Sequence, residues 1–179
     1  VRSKSVSKTL DGEEWQSYFR DFRYSAFRME VHQIYTMPFE AETLGNFLAG
    51  CSMPDGFNAD WHAIIHRHAL AGRTFQRTKL VRLPLTEYSR YLFEWCIPGN
   101  VAAGEDYRIV DVTDRKPEIP LQDFWLFDES VVVHMNYRPD GMQINRELLR
   151  DPDIGQYIRW RDMTVAAGVS FAEWNRART

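Results

Sequence analysis

Three histidines, His62, His66 and His68, fall in one stretch, ADWHAIIHRHALAGR (59–73). His62 and His66 are four residues apart, so on a helix both would face one metal ion. A zinc hydrolase of the H-E-x-x-H type needs glutamate directly after the first histidine. Ala63 stands there, no third ligand is evident, and His68 points elsewhere on the helical wheel. The three are expected on a solvated helix face with no metal. Cys51 and Cys96 form no C-x-x-C. They are expected as buried free thiols in a reducing compartment, with a disulfide between them left open. Neither a nucleophile elbow nor a glycine-rich phosphate loop occurs, and GNVAAGED (99–106) reads as a helix end and turn.

A mixed charge set is more informative. Arg28, Glu30 and Arg82 lie in strand-like stretches, Tyr88, Arg90 and Glu94 in a helical one, and Asp106, Asp123 and Asp128 in loops or at strand ends. Several fall on faces that should be half-buried, where an unpaired ion costs several kcal/mol or more. Two readings follow. The set forms structural Arg–carboxylate pairs, or it lines a polar pocket for a small anion or a partner's side chain. No complete catalytic motif accompanies it.

The elements that would position these residues can be read from periodicity. Residues 1–10 form a polar, mobile leader, and 11–179 a single domain. LDGEEWQSYFRDFRY (10–24) repeats aromatics at helical spacing, with Asp11 as N-cap. In AFRMEVHQIY (26–35) Phe27, Met29 and Val31 alternate with Arg28, Glu30 and His32, a strand that makes Arg28 and Glu30 neighbours on one face. A turn and short helix follow at 37–50. Next comes a helix at 59–73 capped by Asp60, with Trp61, Ile64, Ile65 and Leu70 as its apolar stripe. A strand at 74–83 puts Phe75, Arg77, Lys79 and Val81 on one side. A helix at 86–97, capped by Thr86, is ended by Pro98-Gly99-Asn100. Strands at 106–112, 123–128 and 131–137 come next, the last two joined by Asp128-Glu129-Ser130. Their apolar character on both faces suggests central strands. The closing segment from Ile144 reads as one or two helices. Helix–strand alternation predicts an α/β or α+β fold, a mixed central sheet covered by helices.

The chain has 179 residues, 44% hydrophobic and 26% charged, enough for one core. Its net charge of −3 argues against a domain-wide field for nucleic acid, so direct binding to it is not expected. It has no run of 18 apolar residues and no apolar stretch near its start, so a cytoplasmic location away from membranes is expected. Six Trp and 14% aromatics raise the prospect of a binding surface.

AFRME (26–30), KLVRLPLTEYSRYLFEW (79–95), NVAAGEDYRIV (100–110) and DFWLFDESVVVHMNY (123–137) resemble blocks of an uncharacterised actinobacterial family of about this length. The resemblance implies a bacterial protein of unknown function, often encoded near helix-turn-helix regulators. The element order 76–137 is also similar to a degenerate half of the phospholipase D fold. That chemistry needs H-x-K-x-x-x-x-D. After His134, Asn136 stands where lysine is required and Asp140 falls one residue early. Phosphodiesterase chemistry is therefore not expected.

The expected function is a non-catalytic binding or regulatory module acting on a protein partner, with a DNA-binding regulator as candidate. The alternative is a sensor or enzyme for a small ligand, an anionic metabolite or nucleotide, using the Arg/Asp/Glu/Tyr set. No cofactor is implied, and a homo-oligomer stays open.

Overall fold

The charged and apolar alternation at 26–31 folds as a strand in the middle of an eight-stranded mixed sheet. A computed structural model describes residues 7–178. The strands are β1 (Lys8–Thr9), β2 (Ser25–Glu30), β3 (Thr74–Val81), β4 (Asp106–Asp111), β5 (Asp123–Phe127), β6 (Val131–Tyr137), β7 (Gln143–Leu148) and β8 (Val169–Ser170). They are ordered β1-β7-β6-β5-β2-β3-β4-β8. The pairs β2–β3 and β3–β4 are parallel and the others antiparallel, so the class is a mixed α/β sheet as expected. β5 is buried along its whole length between β2 and β6, which explains the apolar character of DFWLF on both faces.

Helices cover both faces. They are α1 (Gly12–Asp21), α2 (Ala41–Leu48), α3 (Ala59–Leu70), α4 (Glu87–Tyr91), α5 (Ile97–Ala103), α6 (Ile154–Ala167) and α7 (Phe171–Arg176). Tyr157 of α6 packs with Phe27, Met29, Leu80, Val110, Phe124 and Val132 on one face. The opposite face carries two separate apolar clusters. Trp15 and Phe19 of α1 and Ile65 of α3 gather around Phe75, Trp125 and Phe127. Tyr88 and Tyr91 of α4, with Trp95 and Ile97, gather around Val81, Tyr107 and Ile109.

Four sequence expectations change. Residues 8–10 are not a loose leader: β1 pairs with β7 and Leu10 is fully buried, while residues 1–6 lie outside the described residues. The closing segment begins with a strand, since Gln143–Leu148 pairs with β6; the cross-strand partners outweigh the helical propensity of Glu147 and Leu148. Pro98 does not end its helix. A π-helical turn, Leu92–Cys96, leads directly into α5, and Pro98 stands in the first turn of α5 just after the widened turn. Leu70 is 77% exposed, outside the apolar stripe given to α3.

Caps follow suit. Thr86 caps α4 by accepting from the Ser89 N–H, whereas the Asp11 carboxylate pairs with Arg146 at 3.0 Å and caps nothing. α3 is preceded by Asn58 and not capped by Asp60. Gly104, at φ 117°, ends α5, and a Cβ there would stand 2.6 Å from that of Ala69, so glycine lets α5 and α3 converge where the chain enters β4.

The β5–β6 turn shows why Asp128 is structural. Asp128 and Glu129 both adopt φ 50°, a region aspartate tolerates. The Asp128 carboxylate accepts the backbone N–H groups of Arg23 (2.9 Å), Tyr24 (2.7 Å) and Ser25 (3.0 Å), pinning the entry to β2. Asp128→Ala should lower the unfolding free energy by about 2 kcal/mol, and Asp128→Asn by roughly half as much, since one amide oxygen still accepts. Urea denaturation reads both; an Asn variant as damaged as the Ala variant would mean that charge, not bond count, holds the turn.

Candidate functional site

Register brings chemistry together on the two-cluster face. Trp125, Arg28, Arg77 and Tyr107 are successive cross-strand partners over β5, β2, β3 and β4, a row roughly 14 Å long at the usual strand spacing. The Arg28 guanidinium lies 5.8 Å from the Trp125 ring centroid, and that of Arg77 lies 5.7 Å from Trp125 and 5.5 Å from Tyr107. Aromatic faces therefore stabilise both cations at the two ends of the row. Two residues along each strand, Asp123, Glu30 and Lys79 line up beside them.

The two rows, with Glu105 beside them, balance in charge. Arg28 donates to Asp123 at 2.8 Å and lies 3.7 Å from Glu30. Arg77 donates to Glu30 at 2.6 Å and to Glu105 at 2.8 Å. Asp123 further accepts the Val31 N–H at 2.9 Å and the Tyr35 hydroxyl at 2.6 Å. Lys79 donates to the His32 carbonyl at 3.1 Å, 3.7 Å from Glu30. Burial alone would raise the Glu30 carboxyl, but Arg77, Lys79 and Arg28 outweigh it and hold its pKa at about 2. Burial likewise opposes charge on Arg28, yet Tyr137, Asp123 and Glu30 keep its pKa above the ordinary value. Asp123 and Glu105 are pushed up by burial against the pull of Arg28 and Arg77 respectively, and burial lowers Lys79.

Above the rows, between the two apolar clusters, lies a cavity of about 390 Å³. That is within the range of small-molecule sites. Its floor includes Arg28, Glu30, Arg77 and Trp125, and its walls Trp15, Trp61, Tyr107 and Tyr137. Glu40, which accepts the Tyr88 hydroxyl at 2.8 Å, and the 76% exposed Phe39 also line it. The π-helical turn and α5 contribute Leu92, Cys96, Ile97 and Asn100. Three buried polar atoms on residues lining this cavity lack hydrogen-bond partners, Arg28 Nη1, Asn100 Oδ1 and Arg146 Nε, the first two on residues more than nine-tenths buried.

The candidate set divides accordingly. Arg28, Glu30 and Tyr88 line the cavity, and Asp123 lies beneath it as the partner of Arg28. The other five belong elsewhere. Arg82 straps the end of β4 through the Val112 carbonyl (2.7 Å), and Arg90 and Glu94 form an exposed pair 3.8 Å apart. Asp106 holds Gln76 and Arg108, and Asp128 holds the hairpin turn. Sequence reasoning missed Arg77, Glu105, Tyr35, Tyr107 and Tyr137. Arg77 and Lys79 carried a signal, being charges between Phe75 and Val81 on one side of a strand.

The histidines are not a solvated face either. His68 is fully buried, stacked on Phe22 at 3.8 Å and 2.6 Å from the Phe19 carbonyl, so it ties α3 to α1. His62 packs on Gly99, while His66 is exposed, and the two do not converge. His134 faces α6, its Nε2 2.7 Å from the Tyr157 hydroxyl, on the far side of the sheet from the cavity. Cys51 is exposed instead of buried, Cys96 is buried, and the two are not joined. Burial pushes the Cys96 thiol up to about 12, far from a reactive thiolate.

Residues 13–176 match the model of a family described as Domain of unknown function (DUF6879). The chain belongs to this family. The DUF6879 match runs from the first turn of α1 to the end of α7, including all strands that floor the cavity. No curated protein matches the chain. Among the described residues, no helix is long and apolar enough to cross a membrane.

Proposed function

We propose that this DUF6879 chain is a non-catalytic regulatory module that binds a small ligand in the aromatic-walled cavity. The observation that carries this reading is Arg28 Nη1: a donor on a side chain only 4% exposed, lining a cavity, with no protein partner. An unmet buried donor costs about 1–3 kcal/mol, which a ligand acceptor would recover. The non-catalytic half rests on Glu30, Asp123 and Glu105 each being committed to a guanidinium. The regulatory half rests on the resemblance to actinobacterial proteins encoded near helix-turn-helix regulators. A partner of that kind would meet the exposed Phe39 at the lip of the same cavity.

Thermal-shift screening of polar metabolites tests the reading. Hits should raise the melting temperature of the unmodified chain, and Gln16→Trp, at an exposed position on the lining, should abolish the shift while leaving the unliganded melting temperature unchanged. A flat screen, or hits that Gln16→Trp leaves intact, sinks it. An enzyme reading would use Glu40, whose carboxyl burial raises at the cavity wall. Turnover of a hit by the unmodified chain, lost in Glu40→Gln with binding retained, would replace the proposed reading.

A further inference from the structure

The two unpartnered atoms on nearly fully buried residues of the lining are complementary in kind. Arg28 Nη1 can only donate and Asn100 Oδ1 can only accept. Asn100 is 6% exposed, so both side chains are more than nine-tenths buried. Asn100 Oδ1 is buried with no protein partner on a residue that lines the cavity, so it is left for a ligand donor. A ligand that satisfies both atoms needs an acceptor and an N–H or O–H donor.

Charge narrows the class. Arg28, Arg77 and Lys79 supply three positive charges, and Glu30, Asp123 and Glu105 three negative ones, so the floor is balanced. An added anion would lose its water without meeting a net positive field, a cost of several kcal/mol. A neutral ligand avoids that penalty. Shape narrows it further. Trp15, Trp61, Trp125 and Tyr107 line the cavity with flat apolar faces, and stacking of a planar ring on such faces is worth about 1–3 kcal/mol per ring. A sugar would also touch aromatic faces, but each of its hydroxyls asks for its own polar partners, and three unpartnered atoms cannot meet a ring of hydroxyls.

We infer that the cavity takes a neutral planar heterocycle of the nucleobase class, its edge hydrogen-bonded to Arg28 Nη1 and Asn100 Oδ1 and its faces against the aromatic walls. This rests on the small-ligand reading of the same cavity and names the ligand class. Nucleobases qualify because each presents donor and acceptor groups on one edge of a flat uncharged ring. The phosphate of a nucleotide is not required.

Isothermal titration of the unmodified chain with adenosine, guanosine, cytidine and uridine, beside inorganic phosphate, benzoate and glucose, tests the class. At least one nucleoside should bind, and Asn100→Leu and Arg28→Lys should each weaken it tenfold or more. Ligand-side changes need no folded variant: N6,N6-dimethyladenosine against adenosine, or 3-methyluridine against uridine, deletes the base-edge N–H. The methylated form of the nucleoside that binds should be at least tenfold weaker. Binding of phosphate, benzoate or glucose in place of nucleosides overturns the inference but leaves the cavity reading standing. Nucleoside binding indifferent to edge methylation overturns the hydrogen-bond assignment. Silence from all seven probes overturns the inference, and the cavity reading falls with it only if the wider thermal-shift screen is also flat.

Discussion

Arg28→Met should lower the unfolding free energy by about 3–5 kcal/mol, the range expected when one partner of a buried ion pair is removed. Methionine fills much of the arginine stem's volume, so lost packing contributes little. What remains is Asp123, fully buried, still accepting from Val31 and Tyr35 but without its cation. Arg28→Met/Asp123→Asn removes the charge on both sides and should recover a large part of that loss. Denaturant unfolding of the wild type, both single variants and the double variant closes the cycle. Additive losses would show that the two side chains are not coupled, contrary to their 2.8 Å contact.

The second large effect is pH-dependent and centres on Glu30. Its pKa is held at about 2 in the fold against 4.5 ordinarily, chiefly by Arg77, Lys79 and Arg28 opposing burial. A carboxyl with a depressed folded pKa stabilises the fold fully above its unfolded value and loses that contribution as pH falls through the folded one. The gap corresponds to about 3 kcal/mol at neutral pH. Glu30→Gln should therefore cost about that much at pH 7, and its stability curve should converge on that of the wild type between about pH 4.5 and 2. Asp123 and Glu105 act with the opposite sign. Burial raises their pKa values, so protonating them favours the fold as pH falls. Wild-type stability should thus hold or rise through mildly acidic pH and fall between about pH 4.5 and 2, where the contribution of Glu30 is lost. A Glu30→Gln deficit constant from pH 7 to 3 would show that its charge contributes nothing.

The lattice behind these effects was partly readable from residue order alone. Alternation placed Arg28 and Glu30 on one strand face, and they lie there, 3.7 Å apart. Alternation is local, however, and the partners come from pairing. Arg77 faces Arg28 because β2 and β3 run parallel in one particular register, and a shift of one residue would have turned Arg77 to the α6 side. Tyr35, Glu105 and Tyr137 lie just outside or at the end of strands, where no period marks a direction. Arg82 and Asp106 misled because a charge at a strand end can bond a neighbouring backbone or side chain as readily as it can line a cavity. NRELL favours a helix in isolation, and the strand identity of β7 comes from β6 and β1 on either side.

The π-helical turn at Leu92–Cys96 adds one residue to what would be a single continuous helix from α4 to α5. Each helical residue advances the azimuth by about 100°. That one residue therefore works as a phase shifter: it sets which side chains of α5 look down on the sheet, independently of everything before it. Without it, the chain after Cys96 would be rotated by about a quarter turn, and Asn100 would give up its place on the cavity lining to a neighbour. The lining of the cavity can consequently be changed by inserting or deleting a single residue in the roof, with no change to the charged floor.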